Sequence, residues 1–94
     1  MRIVALLLVL TLFVPLLVAQ SSKIDDRIYD EVRRKLANDA DVKGAALEVE
    51  VKSGAVTLKG KVHTEKAREK AERITKHVKG VVSVENKLTL FGKD

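Results

Sequence analysis

The stretch EVEVKSGAVTLKGKV, residues 48–62, decides the fold. Apolar and polar residues alternate through it. Val49, Val51, Val56 and Leu58 share one face, and Glu48, Glu50, Thr57 and Lys59 take the other, the period of a half-buried strand. Ser53-Gly54 interrupts the pattern as a two-residue hairpin turn in which glycine supplies the positive φ. Strands are therefore expected over 46–52 and 55–61. A two-residue loop pairs Lys52 with Ala55, Val51 with Val56, Glu50 with Thr57, Val49 with Leu58, Glu48 with Lys59 and Leu47 with Gly60. This register puts the apolar pairs together and sets Glu48 against Lys59 as an opposite-charge pair. A slip of one residue would mix the faces. Gly60 leaves a gap on the core side, which calls for a close approach by whatever packs over it.

Working outward, residues 22–38, SKIDDRIYDEVRRKLAN, read as a helix. Ile24, Ile28, Val32 and Leu36 recur every four residues as a slowly drifting apolar stripe. Ser22 caps the start, and Asp25 and Asp26 lie in the first turn, where the helix dipole favours negative charge. Arg33, Arg34 and Lys35 lie near the end, where it favours positive charge. Asn38 and Asp39 stop the helix, and residues 39–45 form a loop. Downstream, residues 64–79 read as a second helix. Thr64 is its cap, Ala67, Ala71, Ile74 and Val78 are its inward stripe, and Gly80 is its stop. The two alanines allow a close helix–sheet approach. Residues 81–91 read as a third strand, with Val82, Val84, Leu88 and Leu90 on one parity and Asn86 interrupting it. A buried Asn needs hydrogen-bond partners, so Asn86 is expected to tie the strand to a neighbouring loop or helix end. The order helix, strand, strand, helix, strand, with one apolar sheet face, predicts an α+β fold: two helices packed on one face of a three-stranded sheet.

The first residues differ from the rest. Arg2 precedes the apolar run Ile3–Ala19, which ends on a small residue before a polar segment. That is the pattern of a secretory signal peptide over residues 1–19, with Ala19 before the cut and a second small-x-small choice at Ala19 and Ser21. An uncleaved anchor is the alternative, since the run lies at the lower end of the roughly 17–25 apolar residues that a spanning helix needs. Residues 22–94 then make a single domain. The chain has no cysteine, so no disulfide framework, thiolate metal site or catalytic thiol is available. A formal charge of +5 with 33% charged residues favours anionic partners weakly and mainly keeps the chain soluble. One Tyr and two Phe are too few for the stacking platforms of single-stranded nucleic-acid binding, so nucleic acid is not expected as a partner.

The residues that carry chemistry lie on the helices. Lys66, Lys70, Arg73 and His77 form one basic flank of the second helix, and Arg33 and Arg34 lie beside Tyr29 on the first. Basic side chains meet anionic lipid headgroups at about 1 kcal/mol each near a charged membrane, and Tyr favours the interface. Against this stand ion pairs within the second helix, Glu69 with Arg73 and Glu72 with Lys76, which would leave an ordinary solvated face, and a Tyr29 that only seals the core rim. Residues 39–50 imitate a calcium loop through Asp39, Asp41, Gly44 and Glu50. Lys43 occupies a ligand position and Glu50 lies in an alternating strand, so no metal site is expected. His63 and His77 lack ligand spacing and are expected to be exposed. Ser53 and Ser83 lack a base at fixed spacing. Neither catalysis nor a cofactor is expected.

The run from Ile28 to Leu90 resembles the BON domain, a small module of bacterial envelope and secreted proteins. The residues that carry the resemblance are Ile28, Val32 and Leu36; Val49, Val51, Gly54, Val56, Leu58, Gly60 and Val62; Ala71; and Gly80, Val81, Val84, Asn86, Leu88 and Leu90. GAVTLKGKV, a helix, and then KGVVSVENKLTL is close to the family's usual wording. The resemblance implies a non-catalytic binding module that associates with anionic phospholipid membranes and supports envelope integrity. Tyr29, Arg33, Arg34, Lys66, Lys70 and Arg73 are the candidate contacts. The alternative is an interaction or homo-oligomerisation domain that binds an envelope protein or a second copy through a sheet edge or by helix packing. Either protein would be periplasmic or secreted after cleavage, and held at the inner membrane if uncleaved.

Overall fold

The computed structural model describes residues 23–43 and 46–92. The expected signal peptide and the Ser22 cap lie outside the described residues. The first helix, α1, occupies residues 23–38. Strands β1 (Glu48–Lys52) and β2 (Ala55–Val62), helix α2 (Glu65–Lys76) and strand β3 (Ser83–Leu90) follow. The order α-β-β-α-β is the one expected. The sheet runs β1-β2-β3, with β1–β2 antiparallel and β2–β3 parallel.

The hairpin has the register read from the alternation, from Glu48 opposite Lys59 to Lys52 opposite Ala55. Its first strand is shorter than expected, starting at Glu48 rather than residue 46, and its second runs one residue further, to Val62. Leu47 still packs across Gly60: a methyl group there would lie 3.0 Å from Leu47 Cδ2, and φ is +122°. The close approach inferred from the sequence is thus made by a side chain of the neighbouring segment. The ion pair on the outer face differs from expectation. Lys59 Nζ meets Glu50 at 3.3 Å, the diagonal neighbour, rather than Glu48 directly opposite.

Ile28, Val32 and Leu36 of α1, Val49, Val56, Leu58 and Val62 of the hairpin, Ala67 and Ala71 of α2, and Leu88 of β3 join one buried cluster, with Val42, Leu47 and Val78 from the connections. Both helices thus cover one face of the sheet. Charged residues occupy the other. The core is drawn, among the described residues, from Ile28 to Leu88. Arg27 near the start of α1 donates to the Lys79 carbonyl at 3.0 Å. Lys70 of α2 meets Asp39 and Asp41 just past the end of α1. The two helices therefore run antiparallel.

Helix α2 begins as its sequence predicts. Thr64 is extended, and its Oγ1 accepts the Ala67 N–H at 3.0 Å. The helix ends at Lys76, earlier than expected, and Val78 reaches the core from the turn that follows. Thr75, not Ile74, is the fully buried residue of its last turn. Its hydroxyl is satisfied by the Ala71 carbonyl at 2.8 Å, so no buried polar atom is orphaned there. Asn86 ties β3 to α2. Its Nδ2 donates to the Arg68 carbonyl at 2.9 Å, and its Oδ1 accepts the Leu88 N–H at 3.1 Å.

Two residues assigned to the apolar stripes lie outside. Ile24 is 56% exposed and Val82 is 79% exposed. A four-residue repeat turns by about 40° per step against the 3.6-residue helix, so the stripe of α1 has rotated off the core by Ile24. Val82 precedes β3, which starts at Ser83.

Candidate functional site

The basic residues read from the sequence are not gathered in one patch. Residues i−1 and i+1 on a helix lie on opposite sides of residue i, about 100° each way. On α1, Arg27 is on the side of Ile28 that reaches α2, which places Tyr29 on the far side, with Arg33 one turn on. Tyr29 is half-buried against the core and accepts a hydrogen bond from Arg33 Nη1 at 2.9 Å. The Arg33 guanidinium stands 5.6 Å from the ring centre. Tyr29 therefore seals the rim of the core with Arg33 laid over it. Arg34 is exposed, with no ion pair among the described residues.

On α2, Lys70 faces the loop after α1, and Lys66 lies near enough to act on Asp41 there. Lys70 is committed there. Its ammonium lies 2.8 Å from Asp41 Oδ2 and 3.1 Å from Asp39 Oδ2. Asp39 Oδ1 also accepts the N–H groups of Asp41, at 2.9 Å, and Val42, at 3.1 Å. Burial pulls the Asp39 carboxyl upward, but Val42 N–H, Lys70 and Asp41 N–H together outweigh it and hold its pKa below the ordinary value. Lys70 likewise lowers Asp41, and the two carboxylates, Asp41 first, raise Lys70. The segment that imitates a calcium loop is thus a clasp built for a lysine. Among the described residues no group of acidic and histidine side chains is placed to hold a metal ion.

Lys66 and Arg73 are exposed and make no ion pair among the described residues. Glu72 pairs with Lys76 at 2.9 Å as expected. The expected Glu69–Arg73 pair is not formed, and Arg68 instead bonds Glu65. Arg73 therefore reaches solvent over a shallow polar hollow shared with Arg68, Glu69 and Glu72. His63 and His77 are exposed, the first stacked on Phe91 with ring centres 4.7 Å apart.

A second hollow, of about 310 Å³, was not foreseen. It lies at the hairpin end of the molecule and is lined by Ile24, Asp25, Ser53, Gly54, Gly80 and Val82. Asp25 builds its floor: one carboxylate oxygen accepts Ser53 N–H at 2.9 Å and the other Gly54 N–H at 3.1 Å. Sequence gave Asp25 only a role near the helix dipole. The signal that it anchors the turn lies in a contact between residues far apart in the chain, which periodicity does not report. No described helix is long and apolar enough to cross a membrane.

No curated protein matches the chain. The family model for the BON domain matches residues 24–90, which span both helices and all three strands. The chain belongs to the BON domain family.

Proposed function

We propose that this protein is an exported, non-catalytic binding module of the bacterial envelope that docks on anionic phospholipid membranes. The family is one of binding domains connected with membranes and phospholipids. The observation that carries the reading is the set of exposed cations on the helical side of the molecule. Arg34, Lys66 and Arg73 stand in no ion pair among the described residues. Arg33 and Tyr29 lie on the far flank of α1, and Lys70 is held back by its two aspartates. Arg34 and Arg73 add attraction to an anionic surface without first giving up an internal partner, and Lys66 adds it while also attracting Asp41.

Flotation with phosphatidylglycerol vesicles tests the reading. The triple variant Arg34→Glu, Lys66→Glu, Arg73→Glu is expected to weaken binding roughly a hundredfold or more, at about 1 kcal/mol per charge removed. Lys87→Glu, on the opposite sheet face, serves as the control and is expected to bind nearly as the parent does. A triple variant that floats like the parent would contradict the proposal.

A second reading has its own support. β1 and β3 are both sheet edges, and β3 offers an eight-residue strand to a partner or a second copy. Edge charges such as Lys87 and Glu85 oppose uncontrolled pairing. A mass that rises with protein concentration would favour this reading.

A further inference from the structure

We infer that the hairpin end of the domain, with Ile24 and Val82 at its tip, is the part that enters the phospholipid interface. This rests on the membrane reading above and says which end of the molecule does the work. Ile24 and Val82 are two of the large apolar side chains left exposed, and both line the same hollow. Val82 is held there. Its N–H donates to the Gly54 carbonyl at 2.8 Å, and Gly54 N–H is fixed in turn by Asp25 of α1. An apolar side chain on a backbone tied at this point loses little further freedom on insertion.

The rim suits an anionic surface rather than an apolar protein partner. Lys23, Lys52 and Lys79, chain neighbours of Ile24, Ser53 and Gly80, are exposed and carry no ion pair among the described residues. Arg27 lies beside them, its guanidinium on the Lys79 carbonyl. Apolar tips framed by lysines match a surface whose interior is hydrocarbon and whose headgroups are negative. Asp25 keeps its negative charge while its oxygens accept from the turn N–H groups, and Lys23, Arg27, Lys52 and Lys79 outnumber it and Asp26 at this end. Phe91, the other large apolar residue exposed among the described residues, follows the end of β3, next to Val62, and is stacked on His63.

The chain has no tryptophan, so single reporters map the contact. Residues 22–94 carrying Val82→Trp or Glu50→Trp are mixed with vesicles of phosphatidylglycerol and brominated phosphatidylcholine, and sedimentation is read in parallel. The inference expects a blue shift and bromine quenching for the position-82 reporter, and neither for position 50. The double variant Ile24→Ser, Val82→Ser, at two exposed positions outside the core, is expected to bind about tenfold more weakly or worse, the effect of withdrawing two apolar side chains from the interface. Sedimentation with an unquenched position-82 reporter and an unaffected double variant would overturn the inference while leaving the membrane reading standing. A domain that does not sediment with anionic vesicles at low salt would overturn both.

Discussion

Ser53 holds φ at 50° and Gly54 at 82°, positive values at both central residues of the hairpin turn. This is the pattern of a type I′ turn, whose first position prefers Asn, Asp or Gly. A serine there carries some of the ~1–2 kcal/mol that the left-handed region costs an ordinary residue. Ser53→Asn is therefore expected to stabilise the domain by roughly 0.5–1 kcal/mol, seen as a higher urea midpoint. A lower midpoint would show that Asp25, not backbone preference, governs the turn. Gly54→Ala works in the opposite direction. Its methyl would lie 2.7 Å from Val82 Cγ2, which can swing away, and 3.2 Å from the Gly80 carbonyl, which cannot. A loss of about 1–3 kcal/mol is expected from this and from the strained φ, again by urea unfolding. An unchanged midpoint would contradict the close packing of the turn. The alternation around this turn was enough to place the pairs from Glu48–Lys59 to Lys52–Ala55, because register in a half-buried strand is set by which face is apolar. The same rule misplaced Ile24 and Val82. Parity and periodicity say which side a residue points to, not whether anything stands there to cover it, and both residues lie where the covering elements end.

The elements are held together by polar ties as well as by the core, and the clasp of Lys70 on Asp39 and Asp41 responds to pH. The two carboxylates have lowered folded pKa values, so their contribution is present above the ordinary Asp range and lost as pH falls through the lowered values. Lys70 is raised, so its contribution is present below the ordinary lysine value and lost as pH climbs through the raised one. Lys70→Met should therefore lower the urea midpoint by a near-constant amount across neutral pH. The gap between variant and parent should close in acid and again in strong alkali. A gap that does not change with pH would mean that Lys70 acts by packing alone. In the sequence these aspartates have a metal-like spacing that Lys43 spoils. The lysine that does fill the site comes from α2, and only the antiparallel run of the helices brings it there. Helix α2 shows the same limit at its end. Thr75 looks polar in a helical pattern, yet its hydroxyl returns to the Ala71 carbonyl and lets the residue be buried.

At the scale of the whole molecule, two helices shield one face of a three-stranded sheet and leave three distinct surfaces: a charged sheet face, a helical side with unpaired cations, and a hairpin end with apolar tips. The first two were legible as charge patterns. The third was not, because it is assembled from the starts of α1 and β3 and the β1–β2 turn, which only the parallel β2–β3 pairing brings to one end. Attraction between exposed cations and headgroups is screened over about 10 Å at 0.1 M salt, so binding should weaken steeply as salt rises, with a residue left by the apolar tips. The most direct test is co-sedimentation of residues 22–94 with neutral and with anionic vesicles across a salt series. The account predicts binding to the anionic vesicles alone, strong at low salt and largely lost at high salt. Equal binding to neutral vesicles, or none to anionic vesicles at low salt, would contradict it.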